Sequence, residues 1–133
     1  MYPNYNHSEW LILERPSKNW RPDRLDVVVF QNGWEKLTKR VIALEGEAVK
    51  VEHGKISING KFLQEPYGDG DMIFYMEEEQ ERMKKPKHEW LFLNMNLAEI
   101  IVPKGYVWVV GDNRSISWYG LCEVDDIVGV SLF

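Results

Sequence analysis

The chain has 133 residues, 44% hydrophobic and 28% charged, with 21 acidic against 16 basic side chains and a net charge of -5. That length suits one domain with a real core, and the acidic balance argues against a nucleic-acid partner, which normally meets a basic face. The single cysteine, Cys122, excludes an internal disulfide; no apolar run approaches the roughly 18 residues of a membrane span, and no signal-peptide pattern opens the chain, which reads as a soluble piece.

In chain order the pattern is mostly β. "EWLILE" and "LDVVVFQ" are short apolar runs separated by "RPSKNWRPDR", whose Pro16 and Pro22 keep it out of helix. Next, "EKLTKRVIALEGE" reads with a period of two. Leu37, Lys39, Val41 and Ala43 share one face; Thr38, Arg40, Ile42 and Leu44 share the other. Both faces are apolar, so this strand is expected to be buried on both sides, with one cation on each. "AVKVEHGKISINGKFLQEP" carries Asn59-Gly60 between alternating residues, a signal for a tight hairpin whose turn needs positive φ twice. Residues 68–99 are charge-dense, helical or a charged hairpin tip, and read as an inserted, cap-like segment. The core is then 1–67 with 100–133, where "AEIIVPKGYVWVVGDN" and "DDIVGVSLF" resume the strand pattern. Many short strands with turns between them suggest a closed or sandwiched β domain.

Two places carry chemistry. Lys39 on an apolar face either snorkels its ammonium to water or loses solvation, which lowers its pKa and frees an amine to act as a general base. Gly111-Asp112-Asn113 after an apolar strand is a turn, in which Asp112 and Arg114 cap or pair at the surface. The hydroxyl-rich continuation Ser115, Ser117 could orient a neutral lysine by hydrogen bonding. Elsewhere the signals are bland. Ser8 fits a turn; His7, His53 and His88 lack metal-ligand spacing; Asp69 and Asp71 lack the other oxygens of a calcium loop. "EEEQERMKK" reads as a solvated face, and Trp10, Trp20 and Trp118 suit a lipid interface or the core equally.

Three blocks together resemble the type I signal peptidases: "KRVIALEGEAVKVEHGKISINGKFLQEPY", "VPKGYVWVVGDNRSIS" and "DDIVGV". The resemblance implies a signal-peptidase-like folded β-sheet or barrel domain, working without a cofactor as a serine endopeptidase with a Ser/Lys dyad. Lys39 would be the general base and Ser117 the hydroxyl that positions its amine. Arg40 and Asp112 would form a structural pair near the site, and with Asn113 would support it. Met1, Tyr2, Tyr5, Leu37 and Thr38 would line an extended substrate held by β-addition. Its partners would be signal peptides of exported preproteins and, through an anchor, the extracytoplasmic face of a membrane.

The sequence departs from the family pattern twice. The nucleophilic serine is expected just before a Met-x-Pro-Thr segment; here "MYPN" begins the chain, which places that serine upstream of Met1. "SISWYG" also reaches Tyr119-Gly120 almost at once, without the usual Asp-Ser-Arg piece after Ser117. The enzyme therefore competes with an inactive homologue that keeps only a peptide-binding groove. A self-cleaving repressor-type peptidase ranks behind both, because neither an upstream DNA-binding domain nor a cleavage loop is present.

Overall fold

The computed structural model describes residues 13–14, 19–64, 68, 70–75, 79–86, 92–114 and 119–131. In chain order the strands are β1 (Leu13–Glu14), β2 (Val27–Asn32), β3 (Glu35–Ala43), β4 (Ala48–Glu52), β5 (Lys55–Ile58), β6 (Lys61–Phe62) and β7 (Ile73–Tyr75). A short helix α1 (Glu79–Met83) precedes β8 (Phe92–Asn94), β9 (Leu97–Ile101), β10 (Tyr106–Val110), β11 (Tyr119–Glu123) and β12 (Ile127–Ser131). The strands build three antiparallel sheets, ordered β1-β12-β2-β3-β10-β11, β6-β5-β4-β9 and β7-β8. The domain is therefore mainly β, as expected. Among the described residues no ladder joins the outer strands of the six-stranded sheet, so the barrel is not closed.

The apolar pattern of β3 explains the layering. Val41 joins Val28, Phe30, Val107, Val109, Cys122 and Ile127 in a cluster drawn from the six-stranded sheet itself. Ile42 packs on the other face with Trp108 and Val110, against Val49, Val51 and Ile56 of the four-stranded sheet and Met72 and Val102. The centre of β3 is thus covered on both sides, and each fully buried aliphatic side chain contributes about 1.5–3 kcal/mol of transfer free energy. Strict alternation fails at one point. Val109 pairs with Val41 but Trp108 pairs with Ala43, so Ile42 is an extra residue in the ladder. After this bulge Ala43 packs on the Ile42 side and Leu44 on the Val41 side, the reverse of the period-two expectation.

Asn59-Gly60 turns the β5–β6 hairpin with φ of 51° and 84°. His53-Gly54 does the same for β4–β5, with φ of 50° and 80°. Gly54 has a second constraint, because a Cβ there would lie 2.8 Å from the Met72 carbonyl oxygen. That contact belongs to a main-chain junction. Gly54 N–H donates to Met95 O, Met72 N–H to Gly54 O and Met95 N–H to Met72 O, each at 2.8 Å.

Beyond the junction, β7 and β8 form a two-stranded ladder with α1 between them, so the charged stretch is both helix and hairpin. Residues 97–99, grouped with that stretch in the sequence, lie in β9, which pairs with β4. Trp20 is half-buried against the Val41 cluster, whereas Trp34, in the β2–β3 turn, is fully exposed. No helix among the described residues is long and apolar enough to cross a membrane.

Candidate active site

Lys39 lies opposite Val28 on β2. Its face of β3 is apolar, because Val28 and Val41 belong to one buried cluster and Leu37 packs against it. The side chain is half-buried. Loss of hydration lowers its pKa below the ordinary 10.5, since an ammonium over aliphatic groups loses more solvation than the neutral amine does.

The position also matters. The ladder between β3 and β10 ends at the pair Val110–Arg40. Toward Glu35, β3 keeps β2 as its partner, and among the described residues no second strand pairs along Leu37, Thr38 and Lys39. A half-buried amine therefore sits where, among the described residues, the β3–β10 ladder ends.

The next residue faces the other way. Arg40 Nε donates to Asp112 Oδ1 and Nη2 to Oδ2, both at 2.8 Å, while Nη1 donates to the Leu25 carbonyl at 2.9 Å. Arg40 is 4% exposed and Asp112 is fully buried. This two-pronged pair fastens the turn after β10 to β3 across 72 residues. Arg114 follows in the same turn, 7% exposed, with Nε donating to Gly111 O at 3.0 Å. Burial and the nearby Arg40 charge lower its pKa to about 10. The surface pairing considered for Asp112 and Arg114 is corrected accordingly: both are interior, and Asp112 makes the pair with Arg40 that the family resemblance implies. Asn113 is half-buried between them.

Of the residues assigned to the site from sequence, the structure brings Lys39, Arg40, Asp112 and Asn113 to one end of the β3–β10 seam, with Leu37 and Thr38 half-buried just beyond. Ser117, Met1, Tyr2 and Tyr5 lie outside the described residues, as do Ser8, His7, His88, Asp69, Trp10, Trp118 and Ser115. Asp71 forms an ion pair with Lys55 at 2.9 Å. Among the described residues no three His, Cys, Asp or Glu side chains gather as metal ligands.

One contributor has no sequence signal. Leu25, whose carbonyl takes the third nitrogen of Arg40, has φ of 73°. That is left-handed backbone, normally given to glycine, and costs an L-residue about 1–2 kcal/mol. A glycine before Asp26 would have pointed to it; a leucine does not.

The family described as "Signal peptidase, peptidase S26" matches residues 1–133. The chain is 28% identical over 151 residues to thylakoidal processing peptidase 1 of Arabidopsis thaliana, covering 100% of the chain and 38% of that protein. It is 31% identical over 142 residues to a signal peptidase I of Bacillus amyloliquefaciens, covering 100% and 67%. Among solved structures, a signal peptidase I from Enterococcus faecalis V583 superposes with a TM-score of 0.55 at 26% identity, over 84% of this chain and 97% of that one. The chain thus spans well under half of the plant relative and about two thirds of the bacterial one.

Proposed function

The chain belongs to the signal peptidase family, peptidase S26, and from that premise we propose that it is the catalytic β domain of a serine endopeptidase that removes signal peptides from exported preproteins. The observation that carries the proposal is Lys39: an amine with lowered proton affinity where, among the described residues, the β3–β10 ladder ends. An extended peptide laid along Leu37, Thr38 and Lys39 would pair with the side of β3 turned away from β2, with Met1, Tyr2 and Tyr5 completing the groove.

In the proposed reaction the nucleophile is a serine immediately upstream of Met1. Its hydroxyl proton passes to Lys39 Nζ as Oγ bonds to the scissile carbonyl carbon, and the ammonium returns the proton to the leaving amine. Water then releases the acyl group by the same proton path. Ser117 orients Nζ, while Arg40, Asp112 and Asn113 hold the turn that leads to it. Substrates would arrive at the extracytoplasmic face of a membrane to which the whole protein is anchored, and the stretch carrying β7, α1 and β8 would act as a cap beside the site.

The test is to place a serine and a short natural-length segment before Met1 and assay a signal-peptide substrate. Cleavage is expected, rising with pH as Lys39 loses its proton, and lost in Lys39→Met. A restored protein that is inactive, with Lys39→Met indistinguishable from it, overturns the reading. The short run between Ser117 and Tyr119 favours a second reading, a peptide-binding module without turnover. It predicts saturable binding of the same peptide with no product.

A further inference from the structure

Leu25 is held in its left-handed conformation from both sides. Its N–H donates to Val41 O at 2.7 Å, and Val41 N–H donates to Asp26 O at 2.8 Å. Leu25 and Asp26 together oppose the single residue Val41, the arrangement of a bulge whose first residue is ordinarily glycine. The flanks are tied as well. Arg24 bonds the Ile42 carbonyl and pairs with Glu47, and Asp26 Oδ2 accepts from Asp23 N–H at 2.9 Å. Strain of this kind persists only where the surroundings over-determine it.

We propose that Leu25 is a positioning residue: its left-handed backbone aims its carbonyl oxygen at Arg40 Nη1 and so fixes the Arg40 fork against Asp112. The guanidinium has three nitrogens. Asp112 occupies Nε and Nη2, and Leu25 O occupies Nη1, so all three are anchored. Turning φ of Leu25 to the ordinary extended range would rotate the following peptide plane and carry that oxygen away. Arg40 adjoins Lys39 in the chain, so a slackened fork would be felt at the amine and at the turn after β10. The consequence for catalysis rests on the function proposed above; the positioning itself does not.

The competing account is side-chain packing, since Leu25 is partly buried against the Ile42 cluster. Two substitutions separate them. Leu25→Gly keeps the left-handed backbone and removes the side chain. Leu25→Val keeps an apolar side chain but is β-branched and resists positive φ. The readout is hydrogen exchange at Arg40 Nε–H in the full chain by NMR, corrected for global stability with backbone amides of β10.

Exchange within about twofold of the parent is expected for Leu25→Gly, and at least about tenfold faster for Leu25→Val. In the serine-restored protein, Leu25→Val is expected to lower kcat with KM held, while Leu25→Gly keeps both. Parent-like exchange in Leu25→Val, or equally fast exchange in both variants, overturns the proposal. Should Leu25→Val fail to fold, Leu25→Ala takes its place: faster exchange than in Leu25→Gly supports the proposal, and equal or slower exchange overturns it. Absence of cleavage in every restored protein counts against the proposed function, and the exchange comparison still decides this inference.

Discussion

Two seams hold this molecule together, and they are made of different material. Where its main-chain ladder ends, the β3–β10 seam is closed by charged side chains taken out of water: Arg40 on Asp112, with Arg114 in the same turn. The junction at Gly54, Met72 and Met95 is closed by three main-chain hydrogen bonds over the buried Met72 side chain and requires the absence of a Cβ at Gly54. A buried charged seam gains little over an apolar one but loses heavily when half of it is removed. A main-chain seam tolerates most substitutions and fails only when the backbone cannot pass.

Substitutions that break each seam sharpen the contrast. Asp112→Ala leaves the Arg40 guanidinium buried without its carboxylate, and a loss of about 3–5 kcal/mol is expected in urea unfolding. An unchanged midpoint would mean that Arg40 reaches water. Gly54→Ala meets both positive φ and the Met72 carbonyl, with an expected cost of about 1–3 kcal/mol. Its faster amide exchange should concentrate at Met72 and Met95, whereas Asp112→Ala should loosen β3 and β10.

Smaller effects probe the amine. Leu37→Glu puts a carboxylate on the Lys39 face two residues away, and the Lys39 titration midpoint is expected to rise in heteronuclear NMR; a midpoint that stays or falls would mean that the two side chains do not share a face. The smallest effect is on the pH dependence of stability. Lys39 has a lowered pKa in the folded state, so between that value and the ordinary 10.5 the unfolded chain binds more protons. Its contribution to stability therefore rises with pH across that window. Lys50, paired with Glu52, has a raised pKa; its favourable contribution is present below the ordinary value and fades as pH climbs past the folded one. Lys39→Met is expected to make the alkaline slope of the unfolding midpoint more negative, and Lys50→Met to make it less negative.

Much of this was visible in the sequence because it is local. The doubly apolar pattern of β3 does correspond to burial on both faces, and Asn59-Gly60 turns its hairpin because few other pairs accept two positive φ values. His53-Gly54 makes an equivalent turn without the Asn-Gly or Asp-Gly pair that marks a hairpin in sequence. The faces of Ala43 and Leu44 were misassigned because a bulge is set by the partner strand, not by the strand's own alternation. Burial of Asp112 and Arg114 was not legible either: Gly-Asp-Asn marks a turn, and turns are ordinarily wet. Leu25 was invisible for the opposite reason, as its residue type contradicts its conformation. Within the candidate site, Lys39 and Arg40 could be placed on opposite faces by counting. Their environments could not, because Val28 and Asp112 come from elsewhere in the chain.

The bulge at Ile42 also determines how this strand can change length over evolutionary time. Removing one residue at 42 would straighten the ladder into regular pairing and leave Lys39 and Arg40 facing as they do now. Removing one from the regular β2–β3 ladder before Lys39 instead has no slack to absorb it, and would turn the residues that precede it to the opposite faces. Indels in related chains should therefore collect on the Ala43 side of the bulge and be purged from the Lys39 side.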